Sequence, residues 1–120
     1  MELQNLMNDI SEWSDKTFGD GQRNPAIVYH LKKEVDELIE GFKTLYNLLD
    51  NPSMNEYSNV QIGRIKMEYA DCLMLLLDSV HHFDITSIEL LELVRIKLEI
   101  NKKRKWGIPD ENGVVEHLEE

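Results

Sequence analysis

Four acidic residues lie in two pairs of equal spacing, and their types suit them to chemistry. Glu34 and Glu37 belong to the segment HLKKEVDELIE, and Glu68 and Asp71 belong to the segment MEYADCLMLLLD. Residues three apart in an α-helix lie on adjacent turns of one face. A carboxylate beside an apolar segment such as CLMLLL is costly unless a positive charge compensates it. The second pair therefore indicates either a bound cation or a basic partner.

The positions of the two pairs predict that they face each other. The residues Asp50-Asn51-Pro52-Ser53 are typical of a turn. If the flanking helices form an antiparallel hairpin, positions 34 and 71 are equidistant from this turn, and so are positions 37 and 68. We therefore expect the four carboxylates to form two facing pairs at neighbouring levels.

Carboxylates brought together in this way repel one another, and a divalent cation relieves the repulsion. Mg²⁺ prefers a few carboxylate oxygens, with water and substrate phosphates completing its shell. No histidine or cysteine shares this level, which disfavours zinc. We expect Mg²⁺, with Mn²⁺ as an alternative, at Glu34, Glu37, Glu68 and Asp71. The simpler interpretation is that acids at this spacing are solvated surface residues.

A polar face on the last helical segment could hold phosphates. Lys97, Asn101 and Arg104 follow one another at helical spacing in VRIKLEINKKRKWG. Arginine can bind a phosphate through two parallel hydrogen bonds, and lysine supplies a point charge. The alternative is that the basic residues of this segment only complement the negative end of the helix dipole.

Helical periodicity dominates the chain and must position these residues. We predict helices from about Leu3 to Phe18, from Ile27 to Leu49, from about Tyr57 to Phe83, and from a cap at Asp84 or Thr86 to Lys105. No segment has the alternation of a β-strand. The fold class is therefore predicted to be all-α, an antiparallel helical bundle of about four helices.

The segment 73–77 is apolar on every side of its helix. Such a helix is usually buried all round, which a chain of 120 residues can hardly achieve alone. We therefore predict a homodimer or homotetramer that associates through this central helix. Residues 1–120 are predicted to form one domain, with an acidic, loosely ordered tail at residues 110–120.

The charge of the chain argues against two classes of partner. It has 23 acidic and 13 basic side chains, for a net charge of -10. This balance is unsuited to nucleic acid and to anionic membrane surfaces. The first residues lack the basic flank and apolar core of a secretory leader, and no apolar stretch is long enough for a membrane span. We expect a cytoplasmic protein.

Three motifs, taken in order, resemble those of a known superfamily. KEVDEL contains E-x-x-E, EYADCL contains E-x-x-D, and KLEINKKRKWG contains K-x-x-x-N-x-x-R-x-W. This pattern, over residues from roughly 30 to 107, resembles the MazG-like all-α nucleoside triphosphate pyrophosphohydrolases. The segment WSDKTFGDGQRNPAIVYHLKKEVDEL looks closer still to the branch linked to dATP and dGTP hydrolysis.

The resemblance implies an oligomeric all-α hydrolase that converts (deoxy)nucleoside triphosphates, purine dNTPs in particular, to monophosphate and pyrophosphate with Mg²⁺. It implies that the four acids hold the metal and that the residues of the last helix bind phosphates. Glu34 and Glu37 are the catalytic candidates. Glu34 is favoured as the base that deprotonates water, because it comes first in its motif and lies at the edge of an apolar stripe. This stripe recurs at helical spacing from position 28 to position 49 and includes Leu31, Val35 and Leu38.

The upstream region is a candidate for nucleoside recognition. It carries the further substrate-binding candidates Trp13, Gln22, Arg23 and His30. Trp13 could stack on a base, although a role as a core anchor is the more ordinary interpretation. Gln22 could recognise a base edge through hydrogen bonds, and it lies in a glycine-flanked loop, where functional residues are common.

Two other functions are compatible with the same residues. One is hydrolysis of dUTP or of a phosphoribosyl nucleotide by a related enzyme. The other is a non-catalytic acidic module that oligomerises through its apolar helix and pairs Glu68 and Asp71 with lysine or arginine. His81 and His82 are interpreted as a solvated helix end rather than as a metal pair.

Overall fold

The computed structural model describes residues 2–118, most of which lie in four helices. These are α1 (Glu2–Phe18), α2 (Ala26–Leu49), α3 (Asn55–His82) and α4 (Ser87–Lys103), with a short 3₁₀ turn at Pro52–Met54. Over these residues there is no β-strand, so the predicted all-α class is confirmed. None of the four helices is both long and apolar enough to cross a membrane.

The local chemistry of the turns explains where the long helices end. After α2, the Asn51 side-chain oxygen accepts hydrogen bonds from the Ser53 backbone N–H at 3.2 Å and from the Ser53 hydroxyl at 2.8 Å. Such side-chain bonds stabilise a turn at the expense of a continuing helix. After α3, Asp84 has φ of 60°, a left-handed conformation that commonly terminates helices.

The chain folds into two compact units, and the first comprises residues 2–86. Within it, α2 and α3 are antiparallel, because Asn24 bonds Ser79 near one end of the pair and Gln61 bonds the Gly41 carbonyl towards the other. The helix α1 runs parallel to α3, since its Ser11 contacts Asp78 and its Asp15 contacts His82, one turn further along both helices. The predicted hairpin of two long helices is therefore present.

The core of this unit is small. Its buried apolar residues are Met7, Ile10, Ile27, Leu45, Ile65 and Leu77. The apolar stripe expected on α2 is only partly covered, with Val28 48% exposed, and on α3 Leu76 is 47% exposed. Three helices cannot enclose apolar residues on every side of the central one, so a broad apolar surface remains on α3.

Replacing Gly41 by leucine is expected to destabilise the protein. A Cβ at this position would lie 3.2 Å from Ile65 Cγ1 and 3.4 Å from Gln61 Nε2, because α2 and α3 approach closely there. Overpacking of this kind costs roughly 1–3 kcal/mol. Chemical denaturation measures the loss, and Gly63→Leu is the matched control, since nothing lies within 4 Å of a Cβ at Gly63. Equal stability of the two variants would contradict the close packing of the hairpin.

The second unit comprises residues 87–118. Beyond α4 the chain folds back on itself, with Trp106 and His117 forming an isolated antiparallel bridge. The Gly107 N–H donates to the Glu116 carbonyl at 2.9 Å, and the Leu118 N–H donates to the Lys105 carbonyl at 2.7 Å. The single domain over residues 1–120 and the loose order of residues 110–120 stay predictions.

Candidate functional site

The α2–α3 hairpin brings three of the four predicted acids together. Glu34, Glu37 and Glu68 each offer a carboxylate oxygen, and these three atoms lie within 4.8 Å of one another. We call these three residues the carboxylate triad. Asp71 is outside this triad but lines a cavity together with Glu34. The facing pairs expected from the sequence thus become a triad with a neighbouring fourth acid.

Two oxygens of the triad carry an uncompensated burial cost. Glu34 Oε2 and Glu68 Oε2 are buried, and no partner for either atom occurs among the described residues. The cationic form of His30 could pair with Glu34, since its Nε2 lies 3.4 Å from Glu34 Oε1. Buried carboxylate oxygens without donors are strongly destabilised, so this arrangement favours the uptake of a proton or of a metal cation.

The pKa of Glu34 records the same conflict. The pKa of Glu34 is raised from 4.5 to about 7. The largest cause is a side-chain hydrogen bond with Glu37, followed by burial and then by a hydrogen bond with Glu68 and its negative charge. Near neutral pH the Glu34 carboxyl group therefore exchanges its proton readily. Such a group is suited to accepting a proton during catalysis.

The donor set of the triad fits a hard divalent cation. All three residues offer carboxylate oxygens, and the group contains no histidine or cysteine. Three oxygen donors of this kind suit Mg²⁺ or Mn²⁺ rather than zinc. Glu37 is exposed while Glu34 and Glu68 are half-buried, so the triad is open to solvent on the Glu37 side.

A cavity of about 400 Å³ adjoins the triad within the first unit. Its walls include six of the residues predicted to form the site: Trp13, Gln22, Arg23, His30, Glu34 and Asp71. The remaining residues of the wall are Ile10, Phe18, Ala26, Ile27, Met74, Leu75 and Asp78. The upstream candidates and two of the four acids thus share one cavity, which is apolar over much of its surface.

Trp13 contributes to the cavity rather than to the core. Its side chain is 53% exposed, and its ring meets Phe18 edge to face, with the centroids 5.6 Å apart. The interpretation as a buried core anchor is therefore wrong. The two rings form an aromatic wall, which suits a flat apolar ligand.

A polar network fastens the loop 19–25 beside this cavity. Arg23 Nη1 donates to Asp15 Oδ1 at 3.1 Å and to the Gly19 carbonyl at 3.2 Å, and its guanidinium lies 5.3 Å from the centre of the Phe18 ring. Asn24 Nδ2 donates to the Ser79 carbonyl at 3.0 Å. These contacts hold Gln22 and Arg23 at the cavity wall.

His82 belongs to the same network, so its interpretation as a solvated helix end was wrong. Its side chain is 14% exposed, and its Nε2 lies 2.7 Å from Asp15 Oδ1. Burial lowers the pKa of His82, but hydrogen bonds to Asp15 and to the Asp78 backbone outweigh it, and the net pKa is raised. His82 therefore ties α3 to the end of α1.

Sequence reasoning also missed Asp78, which is 3% exposed and lines the cavity. A signal for it was present, because Asp78 lies two helical turns after Asp71 and so shares its face of α3. Its partners Ser11 and His82 lie on different helices.

The predicted phosphate-binding residues lie in the second unit. Lys97 is exposed on α4, whereas Asn101 and Arg104 are half-buried. Arg104 Nη1 donates to Asn101 Oδ1 at 3.2 Å, and the Trp106 indole N–H donates to the Asn101 carbonyl at 3.0 Å. Asn101 is thus held by both neighbours, and the role of all three predicted residues in phosphate binding stays a prediction.

Comparison with known proteins gives a match to one nucleotide hydrolase family over part of the chain. Residues 63–120, just under half of the chain, match the family of dATP/dGTP pyrophosphohydrolases. This match confirms the resemblance to MazG-like pyrophosphohydrolases, and it covers the motifs from Glu68 to Trp106. It supports nucleotide pyrophosphohydrolase activity in general. Neither the curated proteins nor the solved structures include a significant match to the chain.

Proposed function

We propose, from the match of residues 63–120 to the dATP/dGTP pyrophosphohydrolases, that this protein hydrolyses purine deoxynucleoside triphosphates to monophosphate and pyrophosphate. The observation that carries the proposal is the carboxylate triad, with its two unpartnered buried oxygens, beside a cavity of about 400 Å³. A metal-bound triphosphate at the triad would place its nucleoside in this cavity.

Glu34, Glu37 and Glu68 would hold Mg²⁺ or Mn²⁺, and Asp71, which lines the same cavity as Glu34, is proposed to assist. A divalent cation supplies charge neutralisation for the phosphates and lowers the pKa of a coordinated water. The chain itself supplies the oxygens that fix the position of the ion. The predicted phosphate contacts of Lys97, Asn101 and Arg104 belong to the same proposal through the resemblance.

Glu34 is proposed as the general base. A Glu34 oxygen that the cation does not engage would accept the proton from water. The water oxygen then forms a bond to the α-phosphorus while the bond from this phosphorus to the bridging oxygen breaks. Pyrophosphate leaves with the bonding electron pair, and the monophosphate keeps the oxygen of the water.

The apolar part of the cavity is proposed to receive the base. Trp13 and Phe18 form an aromatic wall there, and stacking on aromatic rings holds a flat ligand with little loss of conformational freedom. Gln22 and His30 offer hydrogen-bonding groups along the same wall. They would orient the nucleoside so that its α-phosphorus lies near the triad.

A substrate profile tests the proposal. Purified protein is expected to release pyrophosphate from dATP or dGTP with Mg²⁺, and not after the metal is removed with a chelator. Rapid hydrolysis of dUTP with little hydrolysis of purine nucleotides would favour the dUTP alternative. Absence of turnover on every common NTP, dNTP and phosphoribosyl nucleotide would favour a non-catalytic interaction module.

Self-association is proposed as well. Leu73 and Leu76 on α3 are 52% and 47% exposed, although they belong to the most apolar segment of the chain. Exposed apolar patches of this kind mark interaction surfaces. A second copy of the chain is the proposed partner, in a homodimer or homotetramer.

A further inference from the structure

The cavity of the first unit has an acidic residue at each end, and the proposed hydrolysis uses only one of them. Glu34 and Asp71 lie at the end beside the triad, whereas Asp78 lies further along α3. Seven residues of α-helix span about 10.5 Å and complete nearly two full turns. Asp78 therefore lies on the same face as Asp71, about a nucleoside's length from the site of phosphate chemistry.

Residues of α2 and α3 line the cavity as far as Asp78. On the α2 side the wall passes from Glu34 through His30 to Ile27, and on the α3 side it passes through Leu75. Ile27 is buried and apolar, so the wall between the two acidic ends favours a flat, apolar group. An aromatic base fits this stretch, with one edge directed at Asp78.

Two neighbouring side chains hold the carboxylate of Asp78 in place. Ser11 Oγ donates to Asp78 Oδ1 at 2.8 Å, and His82 Nδ1 lies 3.1 Å from the same oxygen. Asp78 also lines the cavity, which places its carboxylate beside a ligand held there.

The surrounding network keeps Asp78 an acceptor. Nδ1 of His82 lies 2.8 Å from the Asp78 carbonyl, and Nε2 lies 2.7 Å from Asp15 Oδ1. Both ring nitrogens thus face acceptors, which is the pattern of a doubly protonated imidazolium. Ser11 Oγ donates to Oδ1 and His82 Nδ1 lies beside it, and a carboxylate accepts hydrogen bonds and donates none.

We propose that Asp78 selects the nucleobase, and that its carboxylate favours guanine over adenine. This inference rests on the proposed function, since it assigns the base preference of the same cavity. It makes Asp78 a specificity-determining residue that touches the substrate.

The chemistry of the two bases gives the direction of the preference. Guanine presents two adjacent donors, its N1–H and its 2-amino group, and both can approach a carboxylate oxygen. Adenine presents one amino group next to an acceptor, the unprotonated N1, which a carboxylate repels. A buried polar group left without its partner discriminates strongly against the wrong ligand.

Equilibrium binding of deoxynucleoside monophosphates tests the proposal without requiring turnover. Calorimetry on the full chain is expected to show dGMP binding about 10- to 100-fold more tightly than dAMP, the range for hydrogen bonds to a charged group. The monophosphate of deoxyinosine, which lacks only the 2-amino group, is expected to bind between the two. This comparison uses the unaltered protein, so it does not depend on the folding of a variant.

Asp78→Asn should then remove most of the preference, because an amide offers both a donor and an acceptor to the base. The ratio of the dGMP and dAMP affinities is expected to fall at least about 10-fold. Ser11→Ala is the matched control: it removes a hydrogen bond to the same carboxylate but does not line the cavity. In Ser11→Ala the ratio of the dGMP and dAMP affinities should stay within about twofold of that of the unaltered protein, although the melting temperature should fall.

The two proposals fail in different ways. If no nucleotide triphosphate is hydrolysed but dGMP is preferred and Asp78→Asn removes the preference, the proposed function fails and the base selection holds. If dGTP and dATP have equal kcat/KM and their monophosphates bind equally, the base selection is overturned while the hydrolase stands. A preference for dGMP that persists in Asp78→Asn also overturns base selection by Asp78. If the protein neither binds the monophosphates nor hydrolyses any triphosphate, both proposals are overturned.

Discussion

Replacing Glu68 by glutamine is expected to remove nearly all nucleotide hydrolysis while the helical fold persists. The change deletes one charged oxygen donor of the carboxylate triad and leaves the size of the side chain almost unchanged. Loss of one preorganised electrostatic group in an active site lowers kcat roughly 100- to 1,000-fold. Pyrophosphate release with Mg²⁺ measures the loss, and circular dichroism reports the fold.

The control for this variant is a glutamate outside the triad. Glu40 is exposed on α2, where it pairs with Lys43 at 3.4 Å, so Glu40→Gln changes the net charge equally without altering the triad. Its activity is expected to match that of the original protein. If Glu68→Gln kept more than about a tenth of the activity, well above the expected range, the triad would not be the metal site of the proposal.

Removal of Mg²⁺ is expected to make stability depend on pH through Glu34. In the metal-free folded protein the pKa of Glu34 is about 7, against 4.5 for the ordinary group. The folded state therefore holds a proton that the unfolded state releases, and stability falls as the pH rises from 4.5 to about 7. The difference in pKa corresponds to a loss on the order of 3 kcal/mol.

Mg²⁺ should reverse this loss above neutral pH and have little effect in acid, because cation and proton compete for the same oxygens. A ligand at about 100 times its dissociation constant stabilises a folded protein by about 2.7 kcal/mol. Thermal unfolding with Mg²⁺ or with a chelator, at pH about 5 and about 8, measures both effects. In Glu34→Gln the pH dependence between these values should shrink, and equal pH dependence in both proteins would exclude Glu34 as its source.

The helices and the clustering of the acids could be predicted, because both follow from regular spacing in the sequence. The apolar period of α2 and the turn residues after it placed a helix at Ile27–Leu49, and the observed helix is Ala26–Leu49. The spacing of the acids, combined with the position of that turn, brought Glu34, Glu37 and Glu68 to one place. Both inferences needed only local periodicity and one hairpin.

Contacts between distant parts of the chain could not be predicted in this way. The bonds from Ser11 to Asp78 and from Asp15 to His82 each join residues 67 positions apart. They depend on how α1 packs on α3, and a single amphipathic pattern does not specify its neighbour. For this reason His82 was misinterpreted and Asp78 was overlooked.

The anchoring of Arg23 has a consequence for the kinetics of nucleotide capture. Its side chain is only 11% exposed and already bonded to Asp15 and Gly19, so the glycine-flanked loop reaches its final shape before any ligand arrives. A pre-shaped loop spares an incoming molecule the entropic cost of ordering the chain. The rate of nucleotide binding would then be set by diffusion into the cavity rather than by a slow closure of this loop.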